Sequence, residues 1–357
     1  MSARSHVPSH GHFHALKVAR IASEGDEARA VTFDVPAALA DTFRFEPGQY
    51  LTLRHGELRR SYSICAAPGE APRVGVRRVT GGAFSTWLHE QLHEGDTIDV
   101  MEPEGRFGAA LAKRPRHVLA VAGGSGITPM LSILKAHLAS DADARATLLY
   151  GNRRAVSTMF KEELEDLKNR HLTRFTLHAV FSREGVDSPL HAGRLDAGKI
   201  STFLRLAGPI DEAFVCGPHA MNDEVEAALL AAGLAPSQIH IERFGVPPDV
   251  AARVSHAPQP GDVSTAIVTV VRDGLVREVP FGAGDESILA AAARAGIDVP
   301  YSCKSGVCAT CRCKLQQGQV RMDRNFALER SELDAGFVLA CQAHPLTERV
   351  RVSFDER

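Results

Sequence analysis

Pro300-Tyr301-Ser302-Cys303-Lys304-Ser305-Gly306-Val307-Cys308-Ala309-Thr310-Cys311, with Cys341 further on, is the stretch from which the rest of the chain is read. The spacing is C-x4-C-x2-C and then a distant fourth cysteine. Four thiolates so placed hold a two-iron, two-sulfide cluster. The residues between them are small. Ser305, Gly306, Ala309 and Thr310 let the backbone wrap closely, so that N–H groups point at negatively charged sulfur. Gly306 takes φ > 0 without penalty. Structural zinc would show paired short C-x2-4-C knuckles, and only one short pair is present. A [2Fe–2S] cluster carries one electron at a time, so the remaining chain is read as a supplier of single electrons.

Composition frames that reading. The chain has 357 residues, 44% of them apolar, and a formal net charge of −2. Two or three globular domains are expected. Nothing points to nucleic acid or to a membrane as partner, and no apolar run approaches a transmembrane length. The N-terminus, Met1 to His14, lacks the apolar core of a signal peptide. Beyond the four cluster cysteines remain Cys65, Cys216 and Cys313, which fits a reduced, cytoplasmic setting better than a disulfide framework. His6, His10, His12 and His14 read as a polar tail rather than a metal site.

From Phe13 to about Lys113 the segments are short and strand-like, separated by turns such as Pro47-Gly48 and Glu94-Gly95-Asp96. That pattern predicts a small antiparallel barrel, with a helix from Ser85 to Leu92. Two stretches of it carry chemistry. In Arg60-Ser61-Tyr62-Ser63, strand alternation puts Arg60 and Tyr62 on one face and Ser63 on the other. An Arg pairs with phosphate, a Tyr lies against a flat ring, a Ser hydrogen-bonds a ring nitrogen. In Gly81-Gly82-Ala83-Phe84-Ser85, bare backbone leads into a helix start, which suits phosphate.

From Arg116 the period changes. Apolar strands (His117–Ala122, Ala146–Tyr150, Phe175–Phe181, Asp211–Cys216) alternate with helices (Met130–His137, Phe160–Leu167, Met221–Ala232). This predicts a parallel α/β sheet, whose ligands sit at the carboxyl ends of the strands. Gly123-Gly124-Ser125-Gly126-Ile127-Thr128-Pro129 and Cys216-Gly217-Pro218 lie at such ends. Gly245 to Val263 carries Pro247, Pro248, Pro258 and Pro260 and reads as a linker. The last domain, 264–357, predicts a hairpin turning at Asp273-Gly274, an alanine-rich helix from Glu286 to Ala295 ending at Gly296, the cysteine loop, and a strand at Arg312–Leu315. Cys313 faces away from the cluster as a core residue. Lys and Arg match Asp and Glu here at twelve of each, yet Lys304, Arg312 and Lys314 form a basic rim beside the cluster, a candidate docking face.

In order and motif the chain resembles the ferredoxin–NADP reductase family with a C-terminal plant-type ferredoxin. The resemblance implies an antiparallel β-barrel flavin domain (13–113), a parallel α/β nucleotide domain (114–244), a linker (245–263) and an α+β β-grasp ferredoxin domain (264–357). It assigns Arg60 to the flavin phosphate, Tyr62 to the isoalloxazine, Ser63 to the vicinity of N5, and Gly82 and Ser85 to a pyrophosphate, so FAD rather than FMN. Phe244 is either a flavin cover or part of the domain's apolar closure. The glycine loop with Gly124, Gly126 and Thr128, and the turn Cys216-Gly217-Pro218, bracket the nicotinamide. Ser63, Thr128 and Cys216 surround the reacting atoms. Ser182-Arg183-Glu184 after a strand resembles a 2′-phosphate site, with Arg153 and Arg154 nearby, so NADPH rather than NADH. Runs such as Arg60–Cys65, Phe160–Arg170 and Glu242–Pro247 resemble reductases serving the diiron oxygenase of aerobic phenylacetate breakdown, phenylacetyl-CoA epoxidase. The other readings are a reductase for a ring-hydroxylating dioxygenase, steroid hydroxylase or desaturase, and a pure electron carrier or redox sensor.

Overall fold

The computed structural model describes residues 11–247, 256–257 and 259–356. His6, His10, Pro248 and Pro258 lie outside them. The chain divides into two compact units. One is His14–Phe244; the other is Gly245–Arg357 together with the residues up to Phe13.

The first unit begins with six antiparallel strands: β1 (Phe13–Glu24), β2 (Ala28–Asp34), β3 (Tyr50–His55), β4 (Leu58–Ser63), β5 (Arg73–Arg77) and β6 (Thr97–Met101). Their order is β4-β3-β6-β1-β2-β5. A bridge between Ile64 and Val74 joins the two ends, closing the sheet on itself. Val31 with Phe33, Val74 with Val76 and Leu16 with Val18 sit two apart, so each pair faces the same interior and shares one core. Helix α1 (Ala83–Glu90) adds Phe84 and Leu88, four apart on one helical face, to that core.

The second half of this unit is a parallel sheet of β7 (His117–Gly123), β8 (Arg145–Asn152), β9 (Phe175–Phe181), β10 (Glu212–Gly217) and β11 (Ile239–Arg243), in the order β11-β10-β7-β8-β9. Its strands are apolar on both faces because both faces are covered. Val118 and Ala120 pack into one core with α2 (Ile127–Ser140) and α3 (Lys161–Arg170). Leu119 and Val121 pack into another with α4 (Ala197–Ala207) and α5 (His219–Ala231). The strand order reverses between β7 and β10, which creates a crevice at their carboxyl ends. The sequence pattern misses α4 and β11. In α4 the signal is present but faint: Asp196 accepts from the Lys199 N–H at 2.9 Å, and only Ile200 and Phe203 are fully buried.

The second unit holds β12 (Thr265–Arg272), β13 (Leu275–Gly282), β14 (Arg312–Gln317), β15 (Val320–Met322), β16 (Phe337–Leu339), β17 (Ala343–Pro345) and β18 (Arg349–Ser353). Five of them form one sheet, β13-β12-β18-β14-β16, and β15 pairs with β17. The hairpin turns at Asp273 (φ 53°) and Gly274 (φ 72°), whose N–H groups both donate to Asp355. Helix α6 (Ile288–Arg294) starts at Ser287, which accepts from the Ala290 N–H at 3.2 Å, and is followed by Gly296 at φ 69°. Among the described residues no helix is long and apolar enough to cross a membrane.

Candidate functional site

In the second unit four cysteines converge as two thiol pairs. Cys303 hydrogen-bonds with Cys308 and Cys311 with Cys341. The loop is shaped for them. Gly306 takes φ 80°, as its sequence position demands, and a Cβ there would lie 3.0 Å from the Arg324 carbonyl. Lys304 (φ 54°) and Ala309 (φ 57°) are also left-handed, a conformation that costs a non-glycine residue of order 1 kcal/mol or more. The return is donors aimed at sulfur: Ser305 N–H to Cys303 Sγ at 3.3 Å and Cys341 N–H to Cys311 Sγ at 3.5 Å. The bond from Cys308 pulls Cys303 down to about 5 while Cys308 itself is pushed up. Cys341 is pulled down in the same way by Cys311. Two thiol pairs with N–H groups on sulfur fit two irons. Cys313 is fully buried in the core and meets the Val338 carbonyl, as expected of a residue facing away.

Two features of this loop escape the sequence reading. Gln342, fully buried, donates to the carbonyls of Lys304 and Cys341, both at 3.0 Å, and so ties the fourth cysteine to the first loop. The basic rim is also less free than its residue types suggest. Arg312 pairs with Glu332 at 3.0 Å and stacks on Phe337 at 3.7 Å; Lys314 donates to the Ala335 carbonyl; Lys304 lies 4.8 Å above the Tyr301 ring.

In the first unit the glycine loop and the Cys-Gly-Pro turn meet at the switch-point crevice, backbone against backbone. A Cβ on Gly126 would lie 1.9 Å from the Cys216 carbonyl oxygen, and one on Gly123 2.6 Å from Pro218 Cδ. Cys216 is fully buried at the end of β10, and burial holds its thiol protonated. Beside it in β11 register stands Glu242. Ser63, on barrel strand β4, donates to Glu242 Oε2 at 3.1 Å. Ser63, Cys216 and Glu242 therefore come together. Thr128 sits one loop away, buried, with its hydroxyl donating to the Ser125 carbonyl at 3.0 Å.

Glu242 is the residue that sequence reasoning missed. Burial pushes its carboxyl up to about 7, against the Ser63 bond that pulls it down. Its folded pKa thus exceeds its unfolded one, so the native state binds the extra proton between about 4.5 and 7. Stability falls as pH rises through that window and the loss is complete above it. Glu242→Gln removes this dependence. In flavin-free protein, urea midpoints read from the only tryptophan, Trp87, are expected to favour the variant by on the order of 1–3 kcal/mol at about pH 8 and by little at about pH 4.5. A difference that does not change with pH would place the carboxyl in water.

Around this centre the other candidate residues are spread over defined elements. Tyr62, largely covered, lies 5.9 Å from the Phe84 ring, and burial raises its phenol. Arg60 is exposed. Gly82 caps α1 without a side-chain bond. Ser85 is buried, and its hydroxyl accepts from Val79 N–H and donates to the Gly82 carbonyl. That hydroxyl shapes the turn. At the ends of β8 and β9, Arg183 N–H donates to the Arg153 carbonyl at 2.9 Å, and Ser182, Arg183 and Arg153 are all exposed. Arg77 on barrel strand β5 joins them. It pairs with Glu27 and, with Arg153 and Arg183 adding to its effect, holds that carboxyl low. Arg77 also lies 3.3 Å from where a Gly124 Cβ would be. Phe244 is 42% exposed.

Comparison with known proteins agrees with this division. Residues 15–108 match an oxidoreductase FAD-binding domain, 120–227 an oxidoreductase NAD-binding domain, and 270–346 a 2Fe-2S iron-sulfur cluster binding domain. The chain is 46% identical to one of the subunits of 1,2-phenylacetyl-CoA epoxidase from Escherichia coli K12, over 97% of this chain and 98% of that one. It is 34% identical to the ferredoxin reductase component of 3-ketosteroid-9-alpha-monooxygenase from Rhodococcus rhodochrous, over 95% and 96%. Among solved structures, phthalate dioxygenase reductase superposes with a TM-score of 0.60 at 25% identity, covering 96% of this chain and 98% of that one.

Proposed function

We propose that this chain, which belongs to the family of oxygenase reductase components built from FAD-, NAD- and [2Fe–2S]-binding domains, feeds the diiron oxygenase that epoxidises phenylacetyl-CoA. The chain is an NAD(P)H-dependent oxidoreductase. FAD, when bound, would supply the conversion between a two-electron hydride donor and a one-electron acceptor. The protein's part is positioning. The observation that carries the reading is the meeting of Ser63, Cys216 and Glu242 where barrel strand β4 reaches the ends of β10 and β11.

Arg60 and the N-terminus of α1 at Gly82 hold the flavin phosphates, with Ser85 bracing that turn. Tyr62 and Phe244 bound the flavin ring. Gly124, Gly126, Thr128, Cys216, Gly217 and Pro218 would seat the nicotinamide beside the flavin ring, and their role is to hold the two in reacting orientation. Buried Cys216 stays neutral there and Glu242 can hold a proton beside Ser63. Domain limits of 13–113, 114–244 and 264–357, with a linker at 245–263, and a cytoplasmic setting belong to the same reading. The oxygenase assignment draws its support from the identity to the Escherichia coli epoxidase component over nearly the whole of both chains. Its test is reconstitution with the diiron oxygenase and phenylacetyl-CoA under NADPH. Epoxide formed at a rate set by this chain supports the proposal. Turnover only with a ring-hydroxylating dioxygenase would transfer the chain to that partner.

NADPH is preferred through Arg183, Arg153 and Ser182, all exposed at the ends of β8 and β9. A charge-assisted hydrogen bond contributes about 1.5–3 kcal/mol. Arg183→Ala is therefore expected to raise the KM for NADPH roughly tenfold or more and to leave that for NADH nearly unchanged. Equal effects on both cofactors would remove the 2′-phosphate from this site.

A further inference from the structure

In the second unit, outside the set of four cysteines but only three residues beyond Cys341 at His344, two histidines and a carboxylate converge. His256 Nδ1 lies 3.0 Å and His344 Nε2 2.9 Å from the same oxygen of Asp323, and the two nitrogens are 3.4 Å apart. Their side chains are 14%, 7% and 8% exposed for His256, His344 and Asp323. We propose that His256, Asp323 and His344 form a binding site for a divalent first-row transition cation, which clips the segment at His256 to the β15–β17 ribbon.

The spacing suits such an ion. For a triangle with these three sides, a cation about 1 Å above its plane lies about 2.0–2.1 Å from every corner, the bond length of zinc to imidazole nitrogen and carboxylate oxygen. Imidazole with carboxylate is a donor set for Zn, Fe, Ni or Cu rather than for Mg or Ca. Hydrogen bonding alone serves the cluster poorly. Asp323 Oδ2 also accepts the His256 backbone N–H at 2.9 Å, so three nitrogens crowd one oxygen that offers about two lone-pair sites.

Charge and supporting contacts agree with a cation. Arg321 holds the other oxygen of Asp323, fixing the carboxylate, and is itself gripped by both oxygens of Asp262 at 2.6 Å. With neutral imidazoles the group of two carboxylates and one guanidinium carries a net −1. His256 sits at φ 68°, the backbone conformation from which both its N–H and its ring reach Asp323. Pairing of Arg321 with His344 across the ribbon places the remaining groups.

The test uses the full chain with FAD and cluster in place, dialysed against zinc buffered by nitrilotriacetate. Zinc and iron are then counted by mass spectrometry, and the zinc X-ray absorption edge is recorded. One zinc per two irons with a shell of nitrogen and oxygen only is expected. His256→Gln, Asp323→Asn and His344→Gln should each bind zinc at least tenfold more weakly, with cluster content unchanged. His256→Gln lies outside the sheet and guards against misfolding of the other two. Uptake that is equal in all three variants, a sulfur shell, or no zinc at micromolar free ion would overturn the site.

Discussion

Cys308→Ser is expected to abolish electron delivery to cytochrome c and to any oxygenase, with acid-labile sulfide and cluster absorbance falling to background. Serine keeps the shape of the side chain but replaces a soft thiolate by a hard, weakly acidic hydroxyl, and iron–sulfur clusters are held by thiolates. Cys308 also belongs to a close pair with Cys303, so its loss would remove one of the four thiolates that would hold the cluster. The cluster loop lies in the unit Gly245–Arg357, with a hydrophobic core of its own. Reduction of ferricyanide by NADPH through the flavin alone should therefore stay within about twofold, as for independent sites. Cys313→Ser is the companion. Its sulfur is buried against the Val338 carbonyl, so the variant should keep its sulfide and lose roughly 1–3 kcal/mol of stability for a buried hydroxyl. Sulfide retained in Cys308→Ser, or lost in Cys313→Ser with the fold intact, would reassign the ligands.

What the sequence discloses here is what adjacent residues encode. The cysteine spacing, Gly306, the Asp273-Gly274 turn and the Ser287-to-Gly296 helix are local instructions, and each is met within a few residues of where the pattern puts it. The change from period-two strands to continuous apolar strands marks the passage from barrel to parallel sheet, because only the second is covered on both faces. What stays hidden depends on distance along the chain. Glu242 meets Ser63 only because β11 joins β10 in parallel register; the run Glu242–Pro247 carries family resemblance but does not disclose that contact. Arg77 reaches the glycine loop from a barrel strand. Arg312 reads as a free cation until Glu332 is seen beside it. Lys304 and Ala309 take left-handed backbone without the glycine that would signal it. Ser85 reads as a ligand contact from its place after two glycines; that its hydroxyl also completes the turn those glycines begin is not legible in the sequence.

Gly126→Ala should be nearly as damaging to nucleotide oxidation as loss of a ligand is to the cluster, although it adds a single methyl group. Gly126 has an ordinary helical φ of −61°, so alanine meets no backbone strain. The demand is for space: the new Cβ would stand 1.9 Å from the Cys216 carbonyl oxygen and 2.5 Å from its carbon. These are backbone atoms at the end of β10, held by neighbours on both sides in the parallel sheet, so relief must come from moving the glycine loop away from the Cys-Gly-Pro turn. That shift opens the crevice in which the nicotinamide is proposed to sit. A misplacement of about 1 Å costs roughly 100-fold in a reaction governed by near-attack geometry, and kcat/KM for NADPH is expected to fall by about that factor. FAD content, sulfide content and dithionite reduction of the cluster should be unchanged, which separates a displaced loop from a collapsed fold. Gly284→Ala is the control, since nothing lies within 4 Å of a Cβ there and its φ is not left-handed. Full NADPH oxidation by Gly126→Ala would mean that the two loops need not touch for hydride transfer, and the nicotinamide would have to be placed elsewhere along the carboxyl edge of the sheet.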